Sequence, residues 1–154
     1  DYFENKSIHW LEDLDLACGM VKRTIETLKP SDGDLSLGDL DREPGEEREF
    51  VSTLYRAVIG AEQADEKMIA AKASNWEADR IALSDMLLMR MAITEARSFD
   101  LIPVKVTMNE YIEVAKAYST PKSKNFINGI LDKLFAEMKA DGSIHKVGRG
   151  LLES

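Results

Sequence analysis

The amino-acid sequence predicts an all-α protein, a helical bundle of about five to seven helices. Apolar residues recur at intervals of three and four along most of the chain, which is the period of a helix that buries one face. No segment alternates apolar and polar residues at the period of two that marks a half-buried strand. Helix-ending signals follow two of the periodic segments, Lys29-Pro30 in the first part of the chain and Gly142 near its end.

The first 45 residues predict one helix followed by a linker. Residues 7–29 carry apolar side chains at helical spacing, and Ser7 is a suitable N-cap. Residues 30–45 are rich in Pro, Gly, Ser and Asp and have few apolar side chains, which predicts a flexible acidic linker. We therefore expect an N-terminal helical segment at 1–29 that is separated from the rest of the chain.

Residues 46–140 predict a helical domain built around one buried helix. Helices are expected over 46–60 and 62–73, because both segments continue the helical period. The next helix, 78–98, is apolar on nearly all sides, which is typical of a helix at the centre of a bundle. Cys18, the single cysteine of the chain, lies on an apolar helix face and is expected to be a small core residue.

Two more helices are expected before the C-terminus. Thr107 and Glu110 have the spacing of a capping box, which predicts a helix over 108–119. The last helix is expected over 121–139, where a proline at the first position is followed by an apolar stripe. The remaining residues, 141–154, carry glycine and basic residues and predict a mobile tail.

Two features inside the predicted helices need a special explanation. Arg90 lies in the central helix, and a buried arginine needs a carboxylate partner, so we expect a core ion pair. Gly129 interrupts the last helix, which predicts a close approach of another backbone or a ligand at that position. The candidate partners for the arginine are Glu110, Glu113 and Asp132.

The charge of the chain is unevenly distributed. The net charge is −8, and residues 1–50 alone carry a net −8 from 14 acidic and six basic residues. Residues 116–149 carry seven basic and three acidic residues, a net charge of +4. A local basic surface attracts phosphate even on an acidic protein, although a solvated helix face has the same composition. The charge pattern therefore permits nucleic-acid binding by the C-terminal third.

The sequence gives no support for catalysis, a cofactor or a metal site. The two histidines, His9 and His145, lie far apart and outside any zinc-binding spacing, and no phosphate-binding glycine loop is present. No apolar run approaches the roughly 20 residues that cross a membrane. The single cysteine suits a reducing, cytoplasmic setting. Because the chain begins at Asp1 without a methionine, we expect an upstream segment or an excised fragment.

Three segments carry a family resemblance. They read DMLLMRMAITEA at 85–96, IPVKVTMNEYIEVAKAY at 102–118 and SKNFINGILDK at 123–133. The order and spacing of their polar and glycine residues closely resemble the NusB family, and the resemblance extends more loosely over 46–139. It implies an all-helical, non-catalytic, NusB-like protein. Its expected partners are boxA-type single-stranded RNA, ribosomal protein NusE and the antitermination complex on RNA polymerase, during ribosomal RNA transcription.

The resemblance also implies which residues make these contacts. Asp79 and Asp85 match acidic positions on the surface that faces NusE in members of the family. The lysines are expected to contact phosphate, the aromatic side chains to stack on unpaired bases, and the asparagine to meet a base edge. Plain core packing is the alternative for the two aromatic residues. The implied RNA-binding residues are Lys105, Lys116, Tyr118, Lys122, Lys124, Phe126 and Asn128.

The chain departs from the family pattern at its start, since no arginine-rich first helix is visible. Two other functions therefore stay open. One is a NusB-like RNA-binding accessory domain of a ribosomal RNA methyltransferase, and the other is a protein-interaction module that binds no RNA.

Overall fold

The structure is a computed structural model that describes residues 10–29, 33, 44–73 and 81–152. Within these residues it contains six α-helices, one short 3-10 helix and no strand, which confirms the all-α prediction. None of the described helices combines the length and the apolar character needed to cross a membrane. The helices are α1 (Trp10–Thr27), α2 (Pro44–Gly60), α3 (Glu62–Lys72), α4 (Leu83–Ser98), α5 (Val104–Tyr118) and α6 (Ser123–Ala140), and the 3-10 helix spans Gly148–Leu151.

Backbone contacts divide the chain into two units, residues 1–47 and residues 48–154. In the first unit, α1 carries an apolar row whose members are exposed, among them Val21 and Ile25. Cys18 is also exposed, so the prediction that it is a core residue is wrong. The reason is that no described element of its own unit covers this row. The predicted N-cap Ser7 and most of the predicted linker lie outside the described residues.

The core of the second unit surrounds α4, as the sequence predicts. Met89, Ala92 and Ile93 of this helix are fully buried. They pack among apolar side chains of α3, α5 and α6, including Ile69 and Leu131. A helix that is covered on several sides needs apolar residues around most of its circumference, which explains its composition.

A buried carboxylate joins α4 to α5. Glu95 of α4 accepts hydrogen bonds from Thr107 Oγ1 at 2.8 Å and from the Tyr111 hydroxyl at 2.9 Å. The predicted capping box at Thr107 is therefore wrong, because this hydroxyl is used across the helix interface. The helix begins at Val104 instead, directly after Pro103, whose carbonyl accepts the first helical hydrogen bonds.

Arg90 forms the expected ion pair, but with partners that the sequence did not indicate. Its Nη1 lies 3.1 Å from Glu62 and 3.5 Å from Glu66, both on α3. Its Nη2 donates a hydrogen bond of 3.2 Å to the carbonyl of Val58 on α2. The candidates on α5 and α6 were wrong, because α3 packs on the side of α4 that carries the guanidinium. Those candidates were Glu110, Glu113 and Asp132.

The chain after α6 folds back onto the α4–α5 connection. Gly142 adopts a positive φ of 78° and ends the helix, as predicted. The amide of Val147 donates to the carbonyl of Asp100 at 3.1 Å, and Lys146 Nζ donates to the carbonyl of Phe99 at 2.8 Å. Residues 143–152 are thus packed against the domain, in contrast to the mobile tail that their composition predicts.

Candidate nucleic-acid interface

Helices α5 and α6 form a hairpin joined by the short connection 119–122. We call residues 116–128, from the end of α5 to the second turn of α6, the hairpin tip. Six of the seven predicted RNA-binding residues fall within it. Lys105 does not, because it lies at the opposite end of α5, about 16 Å from Lys116 along the helix axis. The six are Lys116, Tyr118, Lys122, Lys124, Phe126 and Asn128.

The hairpin tip is basic and its lysines are accessible. Residues 116–128 contain three lysines and no acidic residue, a net charge of +3. All three lysines are exposed, and Lys116 Nζ also pairs with Glu113 one turn away on α5. Cations on an accessible surface attract phosphate in a salt-dependent manner. Three of the seven basic residues of the segment 116–149 therefore lie together at one end of the hairpin.

The side chains of α6 leave the tip in two directions. Lys124 and Asn128 are one turn apart and share a side of the helix. Lys122 and Phe126 are also one turn apart, and at about 100° per residue they lie roughly on the opposite side. The predicted RNA-binding residues of α6 are therefore close together along the hairpin axis, but they lie on different sides of the helix.

The two aromatic residues of the tip differ in exposure. Tyr118 is 64% exposed, whereas Phe126 is partly buried against the core. An exposed ring is more accessible to an unpaired base than a partly buried one. Tyr118 and Lys116 are two residues apart, so they leave α5 on roughly opposite sides.

A buried hydrogen-bond network holds the hairpin tip against α4. Asp85, in the first turn of α4, accepts a hydrogen bond from Ser123 Oγ at 2.7 Å and another from Ser119 Oγ. Ser123 Oγ also accepts a hydrogen bond from the amide of Thr120 at 3.2 Å. Sequence reasoning missed this network, although the run of hydroxyl residues after α5 is typical of side-chain capping at a turn. The network joins both ends of the α5–α6 connection to α4, next to the lysines of the tip.

The two predicted partner-binding aspartates have different positions. Asp79 lies outside the described residues. Asp85 is only 6% exposed, because its carboxylate is used by the serines of the tip. This burial leaves little of the Asp85 side chain accessible to a partner.

Gly129 has no close neighbour. A methyl group added at this position would meet no atom within 4 Å, so the predicted close backbone approach is wrong. The close approach occurs at Gly150 instead, where an added methyl group would overlap the carbonyl oxygen of Asp100.

A second surface, which we call the apolar groove, lies between α2, α4 and α5. Its cavity has a volume of about 850 Å³. Large apolar side chains along it are exposed, among them Ile59 at 55% and Leu87 at 45%. Arg90 lines the groove, and its Nε is buried without a hydrogen-bond partner in the described part of the chain. Exposed apolar surface of this kind is typical of faces that another polypeptide segment covers.

A third surface, the hairpin groove, lies at the end of the hairpin away from the tip. Its cavity of about 300 Å³ is formed where the first turn of α5 meets the last turns of α6. This pairing of opposite ends shows that the two helices run antiparallel. The groove is lined by Val104, Lys105, Met108, Asp132, Phe135, Ala136 and Lys139.

No metal-binding cluster occurs in the described ranges, where no three His, Cys, Asp or Glu side chains come together. His145 lies 3.7 Å from Asp100 and is largely exposed.

Comparison with known proteins gives a consistent result. Residues 19–136 match the NusB family. The chain is 38% identical over 138 residues to the transcription antitermination protein NusB of Salinibacter ruber, covering 86% of each chain. It is 46% identical over 106 residues to the NusB protein of Chloroherpeton thalassium, covering 69% of this chain and 50% of that protein.

A solved structure has the same fold. The structure of T. maritima NusB superposes with a TM-score of 0.57 at 29% sequence identity, over 64% of this chain and 70% of that one. The matched family consists of antitermination factors and not of enzymes. The agreement of sequence, domain match and fold leads to one conclusion: the chain belongs to the NusB family of transcription antitermination proteins.

Proposed function

We propose that this protein binds boxA-type single-stranded RNA together with ribosomal protein NusE, as part of the antitermination complex on RNA polymerase during ribosomal RNA transcription. In this proposal the protein acts in the cytoplasm. The observation that supports RNA binding most directly is the hairpin tip, where three exposed lysines occur without any acidic residue. The rest of the chain is acidic, so this concentration of positive charge is local.

Each group in the tip has a distinct chemical task in this proposal. The lysines neutralise phosphates and release bound counterions, which makes the affinity depend on salt. Tyr118 supplies an exposed ring for stacking on an unpaired base, and Phe126 supplies a partly buried one. Asn128 has an amide that can donate to and accept from a base edge. Because these groups lie on different sides of α5 and α6, a single strand would have to wrap around the end of the hairpin to meet all of them.

The proposed NusE contact involves α4 and the segment before it. Asp79 and Asp85 are the predicted contact residues, and the second is buried. Asp85 would therefore influence NusE by keeping α4 and the hairpin tip in a fixed relation, and not by a direct surface contact. The exposed apolar surface of the domain is compatible with a protein partner.

The test is fluorescence anisotropy of a labelled boxA-type RNA, with and without NusE. We expect the double variant Lys122→Glu/Lys124→Glu to bind the RNA more weakly by about 1–3 kcal/mol. The matched control is Lys67→Glu/Lys133→Glu, which makes the same charge change on exposed residues outside the tip. Equal losses in both variants would mean that only overall charge matters. Unchanged RNA affinity in the tip variant would show that the tip does not contact the RNA. Absence of salt-dependent RNA binding by the unmodified protein, with intact NusE binding, would instead favour a protein-interaction module that binds no RNA.

A further inference from the structure

The hairpin groove combines apolar, cationic and anionic side chains in one small space. Met108 and the buried ring of Phe135 form an apolar floor. Lys105 on α5 and Lys139 on α6 supply two cations, one from each wall. Asp132 supplies a carboxylate on the same side of α6 as Lys139.

This combination fits a nucleotide better than a phosphate group alone. A site for phosphate needs cations and hydrogen-bond donors, and a carboxylate inside it weakens the attraction. A nucleotide has three parts with separate needs: an anionic phosphate, a flat apolar ring and polar atoms on the ring edge. The lysines suit the phosphate, the floor suits the ring, and Asp132 suits a ring edge that donates a hydrogen bond.

The carboxylate also selects among the bases. An ionised carboxylate accepts hydrogen bonds and donates none, so it pairs with an exocyclic amino group. Cytosine presents an amino group at the ring position where uracil presents a carbonyl oxygen. Among the pyrimidines, the groove therefore fits cytosine and repels the corresponding edge of uracil.

The groove lies on the same face of the hairpin as part of the tip. Lys105 and Lys116 are eleven residues apart on α5, which brings them within about 20° of each other around the helix. On α6, Lys124 and Lys139 are separated by about 60° around the helix and lie on the same side. A strand bound at the tip can thus continue along this face from the first pair of lysines to the second.

We propose that the hairpin groove holds one unpaired, amino-bearing base of the bound RNA, with Asp132 as the residue that prefers cytosine over uracil. This inference rests on the proposed RNA binding by the hairpin tip. Asp132 would then contact the edge of a base, while Lys105 and Lys139 beside it contact phosphate.

The experiment compares oligocytidylate with oligouridylate of equal length, using anisotropy and the whole chain. The two probes have identical backbones, so the lysine contacts contribute equally to both. We expect the protein to bind oligocytidylate about threefold to tenfold more tightly, the value of one hydrogen bond. In Asp132→Asn the ratio should fall to within about twofold, because the new amide also donates to the carbonyl of uracil.

Two further variants separate the roles. Glu137→Gln removes the same charge from an exposed position on another side of α6, and it should keep the preference for cytosine. Lys105→Gln should weaken the binding of both probes by the same factor. An unchanged ratio in Asp132→Asn, or no preference in the unmodified protein, overturns the inference and leaves RNA binding by the tip intact. Failure of the unmodified protein to bind either probe, while it still binds a boxA-type RNA, also overturns the inference. Failure to bind the boxA-type RNA as well, with NusE present, overturns the proposed function itself.

Discussion

Ser123 Oγ donates a 2.7 Å hydrogen bond to the buried carboxylate of Asp85, and this contact joins the first turn of α4 to the first turn of α6. The second oxygen of Asp85 accepts from Ser119, at the end of α5. One carboxylate therefore connects three helices at the place where the lysines of the tip are presented. The position of the proposed RNA-binding surface depends on this buried contact.

Removal of the carboxylate should destabilise the domain. In Asp85→Ala two serine hydroxyls lose a charged acceptor, and a hydrogen bond to a charged group contributes about 1.5–3 kcal/mol. We expect the free energy of unfolding in urea to fall by about 2–4 kcal/mol. Asp132→Ala is the control, since this aspartate is exposed, and it should change stability by less than about 0.5 kcal/mol. A stability of Asp85→Ala equal to that of the control would show that the network contributes nothing.

Two glycine substitutions should have opposite effects. Gly150→Ala places a methyl group against the carbonyl of Asp100, and the forced movement should cost about 1–3 kcal/mol. Gly129 lies inside α6, and a methyl group added there would meet no atom outside the helix's own backbone. Gly129→Ala should therefore stabilise the protein by about 0.5–1 kcal/mol. Thermal unfolding of the two variants side by side measures both effects. A loss of stability in Gly129→Ala would mean that something covers this position in the folded protein.

Stability at high pH should depend on Tyr111. Burial, together with the nearby carboxylate of Glu95, raises the pKa of the Tyr111 hydroxyl. Above pH about 10, the folded protein therefore keeps this proton while the unfolded chain releases it. The contribution of the Tyr111 hydroxyl to the free energy of unfolding is thus complete below pH about 10 and is lost at higher pH. In Tyr111→Phe the stability near neutral pH should fall by about 1.5–3 kcal/mol, because Glu95 loses a donor.

The pH profile of this variant gives the sharper test. Above pH about 10, the difference in stability between the unmodified protein and Tyr111→Phe should shrink. Tyr55→Phe is the control, because this residue is 66% exposed and should leave the profile unchanged. A constant difference across the whole range would contradict the account of the Tyr111–Glu95 pair.

Tyr118 should contribute to RNA binding without contributing much to stability. Its ring is 64% exposed, and loss of a stacking aromatic costs about 1–3 kcal/mol of binding per base. We expect Tyr118→Ala to weaken RNA binding by this amount in anisotropy measurements. Tyr55→Ala removes an equally exposed ring on α2, in the apolar groove, and should leave the affinity unchanged. Equal affinities for the two variants would rule out stacking at Tyr118.

The sequence was most informative where one local rule decides the structure. The central position of α4 follows from its apolar composition, and the end of α6 follows from the glycine at 142. The start of α5 was missed because Thr107 has a capping pattern but bonds to Glu95, twelve residues earlier. Local patterns do not show which of two available hydrogen bonds the folded chain uses.

The candidate site could also be predicted only where local sequence decides the structure. The cluster of lysines at the tip follows from their sequence positions beside the α5–α6 connection. The partners of Arg90 and the burial of Asp85 do not, because both depend on which helix faces which in the bundle. The hairpin groove was missed for the same reason, since it exists only where the two ends of the hairpin meet.

The salt dependence of RNA affinity tests the central claim most directly. A single strand that contacts three lysines should show a slope of log Kd against log salt that includes about 0.7 for each of them. We predict that replacing Lys116, Lys122 and Lys124 with glutamine lowers the slope for a boxA-type RNA by about 2, while the helical content stays the same. A variant with the slope of the unmodified protein would show that the hairpin tip does not contact the RNA.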